Sequence, residues 1–355
     1  MQPARTAAVE QIHYARRNHR SHGPGRAGRW RRGDSVRSNC GVRVKVAVTG
    51  GAGFIGHHLV RGLLARGHQV QVIDDFSSGH QWRLAPFVDR IGLTEGSILD
   101  APALDLAVAN CEVVFHLAAV ASVARSLVAP RETNEVNATG TIEVMLAAAR
   151  NRVRRVVLAG SAAVYGIPEE LPCRETQLPD PRSPYGASKL ASEHYLHTLG
   201  AIHGVETVAL RYFNVFGPGQ DPASEYAAVV PRFVTAILEG RRPVINGSGD
   251  ISRDFTYVDD VVEANMLASG RSGRSRLTCN IACGSRYTLL ELLQTIGEVT
   301  GRPADPTFGP PRPGDIRHSQ ADISLAREAL AYEVRVPLRE GIVRTVTWYR
   351  SRVVS

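Results

Sequence analysis

The chain is 355 residues long, 43% hydrophobic and 21% charged, which suits about two cored domains and excludes wholesale disorder. No run approaches the roughly 18–20 apolar residues that cross a bilayer. The five cysteines (Cys40, Cys111, Cys173, Cys279, Cys283) are too scattered for a disulfide framework or a zinc quartet. The formal charge of +8 is uneven: residues 1–40 hold nine arginines against Glu10 and Asp34, so the rest of the chain is almost neutral. A nucleic-acid binder carries its basic patch on the folded body, so that class loses its support. A protein without nucleic-acid or membrane partners, in a reducing cytoplasmic compartment, is expected.

Residues 1–41 lack lasting apolar periodicity and are expected to be a disordered, dispensable basic extension. No apolar run follows the basic residues, so a secretory signal is excluded, and the glycines around Gly23–Gly28 suit a transit helix badly. Val42–Thr49 (VRVKVAVT) then reads as a buried parallel strand. It runs into Gly50-Gly51-Ala52-Gly53-Phe54-Ile55-Gly56, a helical stretch to Arg66, and a second strand, Gln69–Ile73, that ends at Asp74-Asp75. Gly50 permits the tight turn and Gly53 the approach of a pyrophosphate. Gly56 lets the helix lie close on the strand, and the helix N-terminus offers N–H donors. Asp74 stands where a carboxylate accepts from adenosine ribose hydroxyls. With Asp75 it would repel a 2′-phosphate, and no arginine comes before Arg83, so NAD is favoured over NADP.

The alternation continues with strands at Val113–Leu117, Val153–Ala159 and Val205–Leu210 and a helix at Thr139–Arg150. This predicts an α/β fold with a doubly wound parallel sheet, whose ligands bind beyond the carboxyl ends of the strands. Gly160–Gly166 (GSAAVYG), Tyr185–Lys189 (YGASK) and Arg211–Pro218 (RYFNVFGP) occupy or follow such ends.

Taken with TGGAGFIG (49–56), DDFSSG (74–79), FHLAA (115–119), SRDFTYVDD (252–260) and RPGDIRHSQAD (312–322), these motifs span residues 42–350. In that order they resemble the extended short-chain dehydrogenase/reductases, within them the UDP-galactose 4-epimerase group, and most of all its bacterial UDP-N-acetylglucosamine 4-epimerases. The resemblance implies a Rossmann-type NAD-binding domain over 42–212. It also implies a smaller, mainly substrate-binding domain over 213–350, with some segments returning to the first, and a homodimer through paired helices.

Tyr185 and Lys189 are four apart, so both project from one helix face. A free phenol, with pKa about 10, is a poor base at neutral pH; a nearby ammonium and a positive nicotinamide would pull it towards working pH. Ser161, 24 residues before Tyr185, can relay the hydroxyl proton. By resemblance Ser161, Tyr185 and Lys189 are catalytic. Gly50, Gly53, Phe54, Ile55, Gly56, Asp74, Ser97, Ile98 and Ala118, with Tyr185 and Lys189, hold NAD. Ser97 stands where the family has an aspartate that reaches adenine.

On the sugar-nucleotide side the resemblance assigns Ser122 and Ser161, with Asn214 at a phosphate oxygen. It places Arg253 and Arg312 on the diphosphate, Asp315 on the uridine ribose and Ser319 beside the hexose C2 substituent. On spacing alone both arginines are solvated surface charges. The implied reaction takes the C4 hydroxyl of a UDP-hexose through a transient 4-keto sugar and back on the other face. Sister dehydratases and decarboxylases carry acids at the positions of Ala162 and Ala163, where methyl groups do no acid/base work. Serine at 319 leaves room for an N-acetyl group, so the acetylated UDP-hexoses are expected substrates. A UDP-glucose 4-epimerase with little acetylated activity is the nearest alternative, and a non-catalytic NAD-sensing scaffold is the alternative of another class. His57, His58 and His116 read as packing or capping residues. Cys279 and Cys283 are expected on one strand face, and no metal is expected.

Overall fold

Side chains alternate along a strand, so a valine-rich strand buried on both faces supplies two cores at once. The computed structural model describes residues 43–222, 228–270, 275–310 and 316–353. The expectations for residues 1–41, Arg312 and Asp315 fall outside that range. From the start, β1 (Lys45–Thr49), α1 (Phe54–Ala65), β2 (Gln69–Asp74), α2 (Gln81–Leu84), β3 (Ile91–Glu95), α3 (Ala101–Val108) and β4 (Val113–His116) follow in turn. Next come α4 (Val123–Val128), α5 (Pro130–Asn134), a π-helical turn (Glu135–Thr139), α6 (Gly140–Arg150), β5 (Arg155–Ser161), α7 (Pro184–His203) and β6 (Glu206–Tyr212). The remainder holds β7 (Val215–Phe216), α8 (Val229–Leu238), β8 (Val244–Asn246), β9 (Ser252–Arg253), β10 (Thr256–Tyr257), α9 (Val258–Gly270) and β11 (Arg276–Ile281). It ends with β12 (Tyr287–Thr288), α10 (Leu289–Thr300), β13 (Thr307–Gly309), α11 (Ser324–Leu330) and α12 (Leu338–Val353).

Among the described residues, seven strands form one sheet in the order β11-β6-β5-β4-β1-β2-β3, every neighbouring pair parallel. This is the doubly wound, Rossmann-type arrangement. The chain winds outward from β1 to β3 and then returns to β4 on the other side of β1, which opens a crevice at the carboxyl ends of β1 and β4.

The two faces carry separate cores. Val46, Val48, Val72 and Phe115 pack with Leu59 and Leu63 of α1 and Val261 and Ala264 of α9. Ala47, Val114, Val156 and Leu158 pack with Leu104 of α3, Val144 of α6 and Leu196 of α7. A third core forms around Phe216, Phe233, Ile245, Phe255, Leu292 and Ile342, built by α8, α10, α12 and their short strands. Although β11 follows residues of that third core in sequence, it forms the outer edge of the main sheet beside β6.

Local chemistry moves two boundaries. The strand expected from Val153 begins at Arg155 because α6 ends in a left-handed cap: Arg152 has φ 55° and the Val153 N–H donates to Ala148 O at 2.9 Å. This shift makes Ser161 the last residue of β5, paired with Tyr212, the last of β6. Cys279 lies in β11, but Cys283 lies beyond its end, so the shared face expected of them is not formed. No helix among the described residues is long and apolar enough to cross a membrane.

Candidate active site

The turn after β1 is fixed by steric necessity. Gly50 has φ +70°, and a Cβ there would stand 2.7 Å from Ala118 N. A Cβ on Gly56 would stand 2.1 Å from Gly50 O, so only glycine lets α1 start this close to the strand. The first helical bond runs from His57 N to Gly53 O, which leaves the N–H groups of Phe54, Ile55 and Gly56 at the end of the helix dipole. Asp74, the last residue of β2, is buried, and its two oxygens accept from Ala52 N at 2.8 Å and Phe76 N at 2.9 Å. A carboxylate has further acceptor sites, so Asp74 both shapes the turn and stays able to accept from ribose hydroxyls. Burial raises its pKa against these two donors. Arg83 turns inward: its two terminal nitrogens donate to Ala52 O at 3.1 Å and Gly219 O at 2.8 Å, so they are engaged by backbone carbonyls. Glycine cradle, helix terminus and carboxylate therefore fit a dinucleotide.

Ala118 borders the same cradle, against Gly50, whereas Ile98 is buried against Gly140 of α6. Ser97 accepts from Leu99 N at 3.2 Å, and Ser122 caps α4 by accepting from Arg125 N at 3.1 Å.

The ends of β1 and β4 are bridged by a hydrogen-bonded chain. Thr141 Oγ1 donates to Asn137 O at 2.6 Å, so it accepts from His116 Nε2 at 3.1 Å. His116 is thus the Nε2–H tautomer, and its Nδ1 accepts from Thr49 Oγ1 at 2.8 Å. Thr49 Oγ1 in turn accepts from Leu117 N and Ala118 N at 3.2 and 3.1 Å. Burial, aided by the charge of Lys189, pushes the imidazole down to about 3, so it stays neutral. Packing was the expected role for His116; the structure gives it a positioning role for the segment after β4. Asn137, in the π-helical turn, was missed by sequence reasoning and carries no local signal. Its side chain holds Val120 N at 2.8 Å and Ser188 Oγ at 2.9 Å, which ties that segment to α7.

Ser183 caps α7 by accepting from Gly186 N at 3.1 Å, so Tyr185 sits in its first turn, half-buried. Lys189 follows one turn later, buried, with Nζ donating to Ala159 O of β5 at 3.0 Å. Both side chains thus face the end of β5. Ser161 Oγ accepts from Ala163 N at 3.1 Å and lies near enough to the Tyr185 phenol to favour its ionised form. Burial drives Lys189 down to about 8, with Glu193 opposing, and raises the Tyr185 phenol, with Ser161 opposing. The lowered phenol expected from sequence is therefore not produced by these side chains alone. Glu193, with its carboxylate gripped by Arg211 at 2.8–3.2 Å, stands beneath Gly160, where a Cβ would come 3.1 Å from Glu193 Oε1.

The segment 252–256 gathers three more predicted residues. Asn214, at φ 27°, donates from Nδ2 to Asp254 O at 3.3 Å. Arg253 donates to Ser252 O at 2.9 Å, and Ser319 N donates to the same carbonyl at 3.1 Å. Asp254, another residue that sequence reasoning passed over, is fully buried. It accepts from Cys283 N, Gly284 N and Ala321 N at 2.9–3.2 Å, and burial lifts it to about 6. It pins the strand end of β11 to the segment that carries Ser319. Arg312 and Asp315 lie outside the described residues. His57 and His58 accept capping roles, Nδ1 of His57 on Gly53 O at 3.0 Å and Nε2 of His58 on Pro218 O at 2.7 Å. No group of potential metal ligands occurs among the described residues.

The family model for the NAD dependent epimerase/dehydratase family matches residues 46–282. A UDP-glucose 4-epimerase of Mycolicibacterium smegmatis is 41% identical, over 87% of this chain and 99% of that protein. Among solved structures, a UDP-N-acetylglucosamine 4-epimerase from Methanobrevibacter ruminantium, in complex with UDP-N-acetylmuramic acid, superposes with a TM-score of 0.83 at 38% identity. It covers 87% of this chain and 99% of its own. A UDP-glucose 4-epimerase from Thermotoga maritima, with UDP-glucose, gives 0.83 at 37%, with the same coverage.

Proposed function

Because the chain belongs to the NAD dependent epimerase/dehydratase family, and is an epimerase that uses NAD, we propose that it interconverts the C4 epimers of UDP-hexoses, with the N-acetylated pair favoured. The observation that carries this reading is the convergence of Ser161, Tyr185 and Lys189 on the end of β5, next to the glycine cradle. Tyr185 takes the proton of the C4 hydroxyl and later returns it. Ser161 holds that hydroxyl, and Lys189 steadies the phenolate and the cofactor ribose. NAD supplies the hydride acceptor and donor together with the positive ring that the phenolate needs. Asn214, Arg253, Arg312 and Asp315 bind the diphosphate and uridine of a sugar that passes through its 4-keto form. Forked guanidinium donors suit such a charge. Ala162 and Ala163, immediately after Ser161, place no acid or base near the hexose, which disfavours dehydration.

The acetylated preference rests on Ser319, small and half-buried on a backbone anchored to Ser252. The 41% identity to a UDP-glucose 4-epimerase favours the second reading, in which acetylated turnover is minor. Assays of UDP-GlcNAc and UDP-Glc side by side separate the two. Turnover of both is expected, with Ser319→Tyr losing at least about tenfold on the acetylated sugar alone. Negligible wild-type turnover of UDP-GlcNAc would sink the preference. Tyr185→Phe is expected to cost about 10²–10⁴ in rate with NAD content unchanged; full activity would remove its role as the base.

A homodimer through α4 and α7 fits the same reading. The two helices pack together and expose Leu127 and Val128 on α4 and Tyr195 and Ile202, seven apart, on α7. Sedimentation should show a dimer that Val128→Glu converts to monomer; an unaltered sedimentation coefficient would place the interface elsewhere.

A further inference from the structure

Arg83 is a long cation buried between two segments that sequence keeps far apart. Its Nη1 donates to Ala52 O, inside the glycine turn, and its Nη2 to Gly219 O, five residues beyond Asn214. Ala52 is held from both sides: its N–H goes to Asp74, and its carbonyl accepts from Arg83 and from His80 N. The 217–221 segment is likewise drawn onto the turn. His58 Nε2 donates to Pro218 O at 2.7 Å, and His80 faces Asp221 at 3.5 Å. The Tyr349 hydroxyl of α12 donates to Gln220 O. A guanidinium is a rigid planar fork, so the two carbonyls cannot separate without losing a charge-assisted bond in a buried setting. Arg83 Nε, His58 Nδ1 and Gln220 Oε1 are buried without partners around this junction, so a displaced guanidinium would leave further polar atoms uncompensated.

We propose that Arg83 is a positioning residue that links the dinucleotide turn to the substrate-side segment 214–221, so that filling either site tightens binding at the other. This rests on the reading that Asn214 and its neighbours bind the diphosphate of a UDP-sugar. A ligand that orders the Ala52–Gly53 peptide orders Gly219 through the shared fork. The coupling is reciprocal by thermodynamic necessity.

The test measures NAD affinity of the full chain by calorimetry, with and without saturating UDP, alongside a direct UDP titration. Wild-type NAD binding should tighten about fivefold or more when UDP is present. In Arg83→Met, and in Arg83→Lys, whose single ammonium reaches only one carbonyl, the tightening should fall below about twofold, with UDP still bound. Arg83→Lys decides the matter if Arg83→Met does not fold, as judged by its melting transition. UDP binding that leaves wild-type NAD affinity unchanged, or tightening that persists in both variants, overturns the proposal alone. Absence of UDP binding to the wild type overturns the UDP-sugar reading and the proposal with it.

Discussion

Lys189 shows how burial sets the chemistry of one residue. Its ammonium has a single carbonyl partner at 3.0 Å and is drawn from 10.5 to about 8, roughly 3 kcal/mol against the charged folded state. The sign follows from proton counting. Between about pH 8 and 10.5 the unfolded chain binds more protons than the folded one, so stability rises with pH in that window. The cost is present in full below pH 8. Lys189→Met should therefore melt no lower than wild type at pH 7 while losing activity, and its relative advantage should shrink as pH rises past 8. A melting difference that does not change with pH would remove this account. YxxxK spacing in the sequence was enough to put Tyr185 and Lys189 on one face. It did not reveal how dry that face is, because dryness depends on β4, β5 and α7 closing over it.

At the scale of the element, the unit from β1 through α1 to β2 works because two backbone positions, Gly50 and Gly56, tolerate no side chain. A Gly56 Cβ would meet Gly50 O at 2.1 Å and Gly51 Cα at 2.8 Å, both backbone atoms that cannot rotate away. Gly56→Ala is expected to abolish NAD retention and lower the melting temperature. Gly270→Ala, at the end of α9 with nothing within 4 Å of the added carbon, should change neither. Retained NAD in Gly56→Ala would show that the turn can widen. The glycine spacing, the helix after it and the acid at the end of β2 were all legible in order. That Asp74 also clasps Ala52 N was not, since the contact crosses from β2 to the turn after β1.

Across the whole molecule, several histidines are held in the neutral form. His57 and His116 are pushed to about 3 and His58 and His197 to about 4, burial being the largest cause in each. Each has a folded pKa below its ordinary 6.5. Their contribution to stability is therefore full above about pH 6.5 and lost as pH falls towards 4, where unfolding these sites takes up protons; Asp254, lifted to about 6, acts in the opposite sense. These rings sit where separate parts meet: His58 holds the 217–221 segment, and His197 joins Thr207 and Thr278. Acid should loosen those junctions together. Between pH 7 and pH 4 the melting temperature of His197→Gln should fall less than that of the wild type; an equal fall would contradict this.

Sequence by itself determined the alternating α/β pattern, the glycine cradle and its carboxylate, and the Ser161, Tyr185 and Lys189 set, because each depends on spacing within one or two elements. Its order of motifs also pointed to the family. Tertiary structure alone decided the tautomer of His116 and the span of Asn137 from the β4 segment to α7. It also set Asp254 as anchor of the Ser319 segment, and the inward fork of Arg83. Those are contacts between residues tens to more than a hundred positions apart, and only the closing of the sheet and the packing of its helices bring such groups within hydrogen-bonding range.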